Sequence, residues 1–341
     1  MIPPESSIIE NSDYVHNHAA HCESGAVSSL LRHYGLDISE AMTFGLSSAL
    51  IFAHFPFIKI EGSPLTAYRA MPGAIVKSTS KTLGIRMHRE RFRDPQAGMD
   101  RLNELLAQGQ VVGMQASVYW LPYFPPNMRF HFNAHNMVAY GKQGDDYLIS
   151  DPVAEYPVTC PSVDLQKARF VKGMFAPKGL IYYPLDTPGA IDFGKAIARA
   201  IKKTTFVMLN TPLPFIGVRG IRYLAKRIRQ LGGNSSDARY ALLFIATIVR
   251  MQEEIGTGGG GFRFIYASFL QEAAEKINEP RLQEASELMT HSGDAWREFA
   301  LLGARFCKKK PDVTLDQLAD ALLVCADYED NAFRLLRSIR L

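Results

Sequence analysis

HCESGAVSSLLRHYG, residues 21–35, is the stretch from which the fold can be read. Val27, Leu30, Leu31 and Tyr34 fall at i, i+3, i+4 and i+7, and Gly35 supplies a stop, so the spacing predicts a helix over 23–34. Cys22 then stands where an extended segment gives way to that helix. A helix start leaves N–H groups unpaired and carries the positive end of the helix dipole, which favours the thiolate, the nucleophilic form of cysteine. A reactive cysteine also needs a base, and the base needs a group to hold its ring.

HNMVAYG, residues 135–141, supplies the base: a histidine opening an apolar strand. Ten residues past its glycine the chain reaches the end of YLISDP, a second strand closing on Asp151-Pro152. Two adjacent antiparallel strands would set His135 and Asp151 side by side. The carboxylate would accept from Nδ1 and turn the other ring nitrogen toward Cys22.

Outward from these segments, 341 residues suggest about two domains at ~150 residues each. Apolar residues make up 47% and charged residues 21%, which excludes a disordered or fibrous chain. No apolar run approaches the ~20 residues of a membrane-spanning helix. The opening MIPPESSIIENSDY has neither a basic start nor an apolar run, so no signal peptide is expected and the protein reads as cytoplasmic. Cys22, Cys160, Cys307 and Cys325 are too few and too scattered for a disulfide framework, and no CxxC is present.

Residues 1–185 read as mixed α and β, with helices expected over 37–44 (Asp37 and Glu40 as a capping-box-like start) and 100–108, and strands over 111–120, 136–140, 146–149 and 179–183. Residues 186–189 form a linker. From there to 341 the pattern is helical, clearest over 236–255 and after the Thr314/Gln317 capping box. The fold class is therefore α+β: an N-terminal domain (1–185) with an antiparallel sheet, then an all-α domain (186–341).

Charge is uneven. Between Ala190 and Gly232 nine basic residues face one acid, a local +8 in a chain of net +4. The readings are a solvated face or a docking surface for an acidic partner, with Arg222, Lys226 and Arg229 as candidate contacts. The stretch lacks interleaved aromatics, so no nucleic acid is expected. Membrane-surface binding is a less favoured alternative, since 206–209 (FVML) lie among the cations.

The order cysteine, strand histidine, aspartate is similar to papain-like enzymes. HxxVAYG…YLISDP resembles their bacteriocin-leader peptidase branch. Residues 21–52, HCESGAVSSLLRHYGLDISEAMTFGLSSALIF, resemble more specifically the N-terminal domain of the butirosin biosynthesis protein H family, and GTGGGGFRFIYASFLQEAA (256–274) resembles the helical domain that commonly follows it. The resemblance implies a papain-like fold and acyl transfer, from the phosphopantetheine thioester of an acyl carrier protein to a small-molecule amine. It places the nucleophile on Cys22, the base on His135 and the orienting group on Asp151, with no bound cofactor. Papain-like enzymes put an oxyanion-donating glutamine about six residues before the cysteine. That position here is His16, followed by Asn17, and either would serve alongside the Cys22 N–H.

Other readings stand beside this one. The same triad serves an amidase or peptidase that uses water, and a non-catalytic binding module is a further alternative. His131 lies four residues before His135, but the segment reads as strand and no third ligand is evident, so no metal is expected. Cys325 shares an apolar helical face with Leu318 and Leu322. Gly256 to Gly261 lacks the Lys-Ser/Thr of a phosphate loop and reads as a flexible break, or as a loop approaching the thioester arm. The aromatic residues around 118–132 read as core or as the wall of an acyl pocket.

Overall fold

A computed structural model describes residues 8–11, 13–60, 62–186, 189–232, 238–254, 256–310 and 312–341. In chain order the elements are β1 (Ile8–Glu10), α1 (Cys22–His33), α2 (Glu40–Leu46), β2 (Leu50–Ile60), β3 (Ser63–Arg69), α3 (Ala74–Leu83), β4 (Met87–Glu90), α4 (Pro95–Ala107), β5 (Val112–Ala116), β6 (His135–Gln143), β7 (Asp146–Ser150), β8 (Val158–Pro161), α5 (Ser162–Phe170) and β9 (Ile181–Pro184). Helices follow: α6 (Phe193–Asn210), α7 (Gly217–Arg229), α8 (Ala238–Glu253), α9 (Arg263–Ile277), α10 (Arg281–Cys307) and α11 (Leu315–Ser338).

The chain forms two compact units. The first gathers the chain up to Thr43 with Pro72–Ile191, and the second joins Phe44–Met71 to Asp192–Leu341. The division near residue 191 lies close to the expected boundary at 185/186, but the first half of the chain is not continuous. Its segment 44–71 carries the β2–β3 hairpin, whose Phe52 and Tyr68 rings pack 5.6 and 5.4 Å from buried Trp296. Burying two aromatic side chains against the helices outweighs adjacency in sequence. The expected linker 186–189 and the expected helix 236–255 lie partly outside the described residues.

In the first unit an antiparallel sheet runs β4-β9-β5-β6-β7-β8, with β1 also pairing β6. His135 pairs with Ala116 across β5–β6, and Val138 with Ser150 across β6–β7. Met99, Leu102, Leu105 and Leu106 of α4 pack with Val112, Met114, Met137, Ala139, Tyr147 and Ile149 of the sheet to form the core. The strand expected over 111–120 stops at Ala116, and Val118–Trp120 forms a 3-10 turn instead. The helix expected from Asp37 starts at Glu40, where Ser39 Oγ accepts the Met42 N–H at 2.9 Å.

The second unit is built from the hairpin and α6–α11. Pro56, which has no N–H to give, sits where the hairpin register shifts between Phe55 and Lys59. At its centre Arg263 and Glu329, both fully buried, form a two-point ion pair at 2.9 and 3.1 Å. Trp296 Nε1 donates to the same carboxylate at 2.7 Å. Thr314 and Gln317 form the expected capping box.

The glycine run forms a turn between α8 and α9. Gly256, Gly258, Gly259, Gly260 and Gly261 all hold φ between 56° and 82°, the region only glycine adopts without strain. The Gly259 N–H goes to Thr257 Oγ1 at 3.1 Å, and the Gly260 N–H to Glu253 Oε1 at 3.0 Å. The Gly259 and Gly260 donors are thus already used within the turn.

Candidate active site

Cys22 is the first residue of α1, 5% exposed. The helix begins there because His21 caps it: its Nδ1 accepts the Ser24 N–H at 3.3 Å. Glu40 holds the approach, accepting the Ala20 and His21 N–H groups at 2.9 and 2.8 Å and the Ser24 hydroxyl at 3.0 Å. Burial raises the Glu40 pKa, opposed by those hydrogen bonds. The Ala19 N–H donates to the Pro152 carbonyl at 2.6 Å, tying the segment before the cysteine to the turn after Asp151.

His135 opens β6 and is 4% exposed; Asp151 follows β7 and is fully buried. They meet through His135 Nε2 and Asp151 Oδ2 at 2.6 Å. The sequence reading assigned the carboxylate to Nδ1, and the structure reverses the ring. With Nε2 on Asp151, Nδ1 is the ring nitrogen left for the Cys22 thiol, which lies close enough to act on the imidazolium.

Burial pushes the His135 imidazolium down, but Asp151 and Cys22, as charges and as hydrogen-bond partners, outweigh it and carry its pKa up to about 10. A ring hydrogen-bonded to the buried Asp151 carboxylate keeps its proton at neutral pH. The Asp151 carboxylate has two further donors: the Tyr123 hydroxyl on Oδ2 at 2.7 Å and the Val153 N–H on Oδ1 at 3.1 Å. The Phe124 ring stands edge-on to His135, centroids 5.6 Å apart. Sequence reasoning missed Tyr123 as a polar contact because it sits among aromatics that read as pocket wall or core.

The oxyanion candidates make other contacts. His16 spends both ring nitrogens, Nδ1 on Ser150 Oγ at 2.7 Å and Nε2 on the Ala154 carbonyl at 3.1 Å. Asn17 gives its amide N–H to the Val15 carbonyl at 2.9 Å and accepts from Arg32 at 2.9 Å. These contacts tie both side chains to neighbouring groups of the chain. The backbone N–H of Cys22, at the first helical position, has no preceding turn to accept it.

The other chemistry-bearing residues lie elsewhere. His131 stacks on Tyr119 at 4.1 Å. Among the described residues no group of three or more His, Cys, Asp or Glu side chains is arranged to hold a metal ion. Cys325 is fully buried, and burial pushes the Cys160 thiol up to about 12. Of the docking candidates, Arg222 pairs with Asp327 at 2.9 Å and Arg229 pairs with Asp320 and Asp316, all on α11. Part of the charge of these two docking candidates is therefore met by α11. Lys226 has no ion-pair partner among the described residues. Among the described residues no helix is long and apolar enough to cross a membrane.

A cysteine at a helix start, a histidine opening a strand of an antiparallel sheet and an aspartate after the next strand define a papain-like domain, joined to a helical one. Residues 163–336, just over half of the chain, match the family model described as a domain of unknown function (DUF4872), and the chain belongs to that family. Residues 21–152 match the model described as "Butirosin biosynthesis protein H, N-terminal", in agreement with the resemblance drawn from the sequence. A crystal structure of a C39-like peptidase from Bacillus anthracis is similar over 52% of this chain and 97% of its own, at 13% identity and a TM-score of 0.36. A similarity of that size says nothing of the reaction. No curated protein matches the chain.

Proposed function

We propose that the protein is a cysteine-dependent acyltransferase that moves an acyl group from a carrier-protein thioester to an amine. The observation that carries the reading is the buried line from Cys22 through His135 to Asp151, closed by the 2.6 Å contact. Its match to a biosynthesis family supports transfer over degradation.

In this reading the Cys22 thiolate attacks the thioester carbonyl carbon. The Cys22 N–H donates to the oxygen on which charge gathers. The carbon–sulfur bond to the carrier arm breaks, and the departing thiol takes its proton from the His135 imidazolium. The now neutral imidazole removes a proton from the attacking amine, the amide forms, and Cys22 leaves as the thiolate. Thioester-to-thioester exchange is nearly thermoneutral, and aminolysis then runs downhill.

The donor's carrier would be an acidic protein. Arg222 and Arg229 are engaged by α11, whereas Lys195, Arg199, Lys202 and Lys203 lie exposed along one face of α6, without an ion pair among the described residues. They are the better candidates for its docking.

The test is incubation with a carrier-bound thioester, with and without amine acceptors. Acyl-Cys22 should be detected by mass, and the amide should appear only with amine. Cys22→Ala should abolish turnover, and Cys22→Ser should trap a stable ester. Undiminished turnover by the alanine variant overturns the mechanism, and free acid as the sole product makes the enzyme a hydrolase.

A further inference from the structure

Asp151 Oδ2 accepts from two side chains, His135 Nε2 at 2.6 Å and the Tyr123 hydroxyl at 2.7 Å, while Oδ1 accepts the Val153 N–H at 3.1 Å. Three donors on two oxygens fix the plane of the carboxylate, where a single histidine contact would leave it free to rotate. The tyrosine is itself held. Arg129 Nε donates to the Phe124 carbonyl at 2.7 Å and its Nη2 to the Pro122 carbonyl at 2.6 Å, clamping the backbone on both sides of residue 123.

We propose that Tyr123 is a positioning residue for the triad: through its hydroxyl it holds Asp151 Oδ2 in line with His135 Nε2 and takes a share of that oxygen's charge. The proposal rests on the acyltransferase reading of Cys22, His135 and Asp151. Tyr123 touches neither the nucleophile nor the reacting atoms, and acts only through the carboxylate. Burial and the adjacent Asp151 charge hold its phenol protonated, so it stays a donor throughout the reaction. The only other side-chain partner of its hydroxyl among the described residues is the Met137 sulfur at 3.6 Å, a weak one.

The charge argument gives a sign. Asp151 and Cys22 are the titratable neighbours of His135, with the Phe124 ring edge beside it; Tyr123 faces Asp151, Met137 and Cys160. Removing the phenolic donor leaves more of the carboxylate charge for the imidazolium, which then holds its proton to higher pH. It also frees the carboxylate to rotate, so the ring is aligned less often for proton transfer.

The experiment compares wild type with Tyr123→Phe, which deletes one oxygen and keeps the ring. Acyl transfer should fall roughly tenfold, the size of one lost hydrogen bond to a charged group. The alkaline limb of the pH profile for Cys22 alkylation by iodoacetamide should move upward. A purely structural role would lower activity with the limb unmoved, and that result overturns the proposal. If wild-type Cys22 reacts no faster than an ordinary thiol at neutral pH, the acyltransferase reading itself fails, which is a separate outcome. Should Tyr123→Phe not fold, Arg129→Met carries the test: it keeps the hydroxyl but releases its backbone, and a wild-type transfer rate there counts against the positioning role.

Discussion

The carboxylate of Glu23, the residue after Cys22, accepts the backbone N–H of Ile75 at 2.9 Å. It also takes those of Gly73 and Val76 at 3.1 and 3.3 Å. Gly73 precedes α3 in a left-handed conformation and has no side chain to cap it, so the acid from α1 caps α3 instead. The triplet His21-Cys22-Glu23 therefore caps one helix, supplies the thiol and caps another. Glu23→Ala should lower stability by about 1–3 kcal/mol, the cost of leaving buried N–H groups unpaired. Thermal unfolding checks this, and a midpoint unchanged from wild type would show that the contact contributes nothing net.

Gly25 should be intolerant of even one methyl group. A Cβ there would lie 2.5 Å from Ala19 Cβ and 2.7 Å from Pro152 Cβ, so the start of α1 and the turn after Asp151 would have to part. Since that turn carries the group that orients His135, Gly25→Ala should lower acyl transfer more than it lowers the unfolding midpoint. Equal retention of both in the purified variant would refute the close-packing argument.

Much of this site was legible because its parts are local. A helix start, a strand start and a strand end each have a short-range signature, and Cys22, His135 and Asp151 stand at those points. What was not legible depends on distant partners. Glu40 read as half of a capping box with Asp37, but its carboxylate is drawn to Ala20 and His21 in a different segment. The β2–β3 hairpin escaped notice because Pro56 interrupts its apolar run, and only the register shift around that proline accommodates it. Arg222 and Arg229 read as docking contacts, and their acids on α11, 105 and 91 residues away, were not visible in the local pattern.

Two histidines should give the stability opposite dependences on pH. His135 is raised from 6.5 to about 10, so its contribution is complete below pH 6.5 and is lost as pH rises toward 10. His54, in the second unit, is lowered to about 4 by burial and by Arg227, so its neutral form favours the fold above pH 6.5 and that advantage is lost as pH falls toward 4. The difference in unfolding midpoint between wild type and His135→Gln should shrink from pH 6.5 to 10. A difference that stays flat over that window would show that His135 is not held as an imidazolium.

The cations of α6 and α7 should separate in function, because one set is answered within the chain and the other is not. Arg222 and Arg229 make exposed ion pairs with α11, each worth about 0–1 kcal/mol and weakened by salt, so their replacement by Glu should cost a little stability through repulsion from Asp327 and Asp320. Lys195, Arg199, Lys202 and Lys203 have no such partners among the described residues, and replacing all four by Glu should leave the unfolding midpoint near that of wild type. If α6 meets an acidic carrier protein, the quadruple variant should acylate Cys22 more slowly from the carrier-bound donor, chiefly through association rate, since exposed charges act over a screening length of about 8 Å at physiological salt. Raising the salt should slow wild type toward the variant, while a small soluble thioester should acylate both at one rate. An equal loss with both donors would mean damage to the fold, and no loss with either would leave α6 a solvated face. Only a salt-sensitive loss confined to the carrier-bound donor is the expected signature of docking.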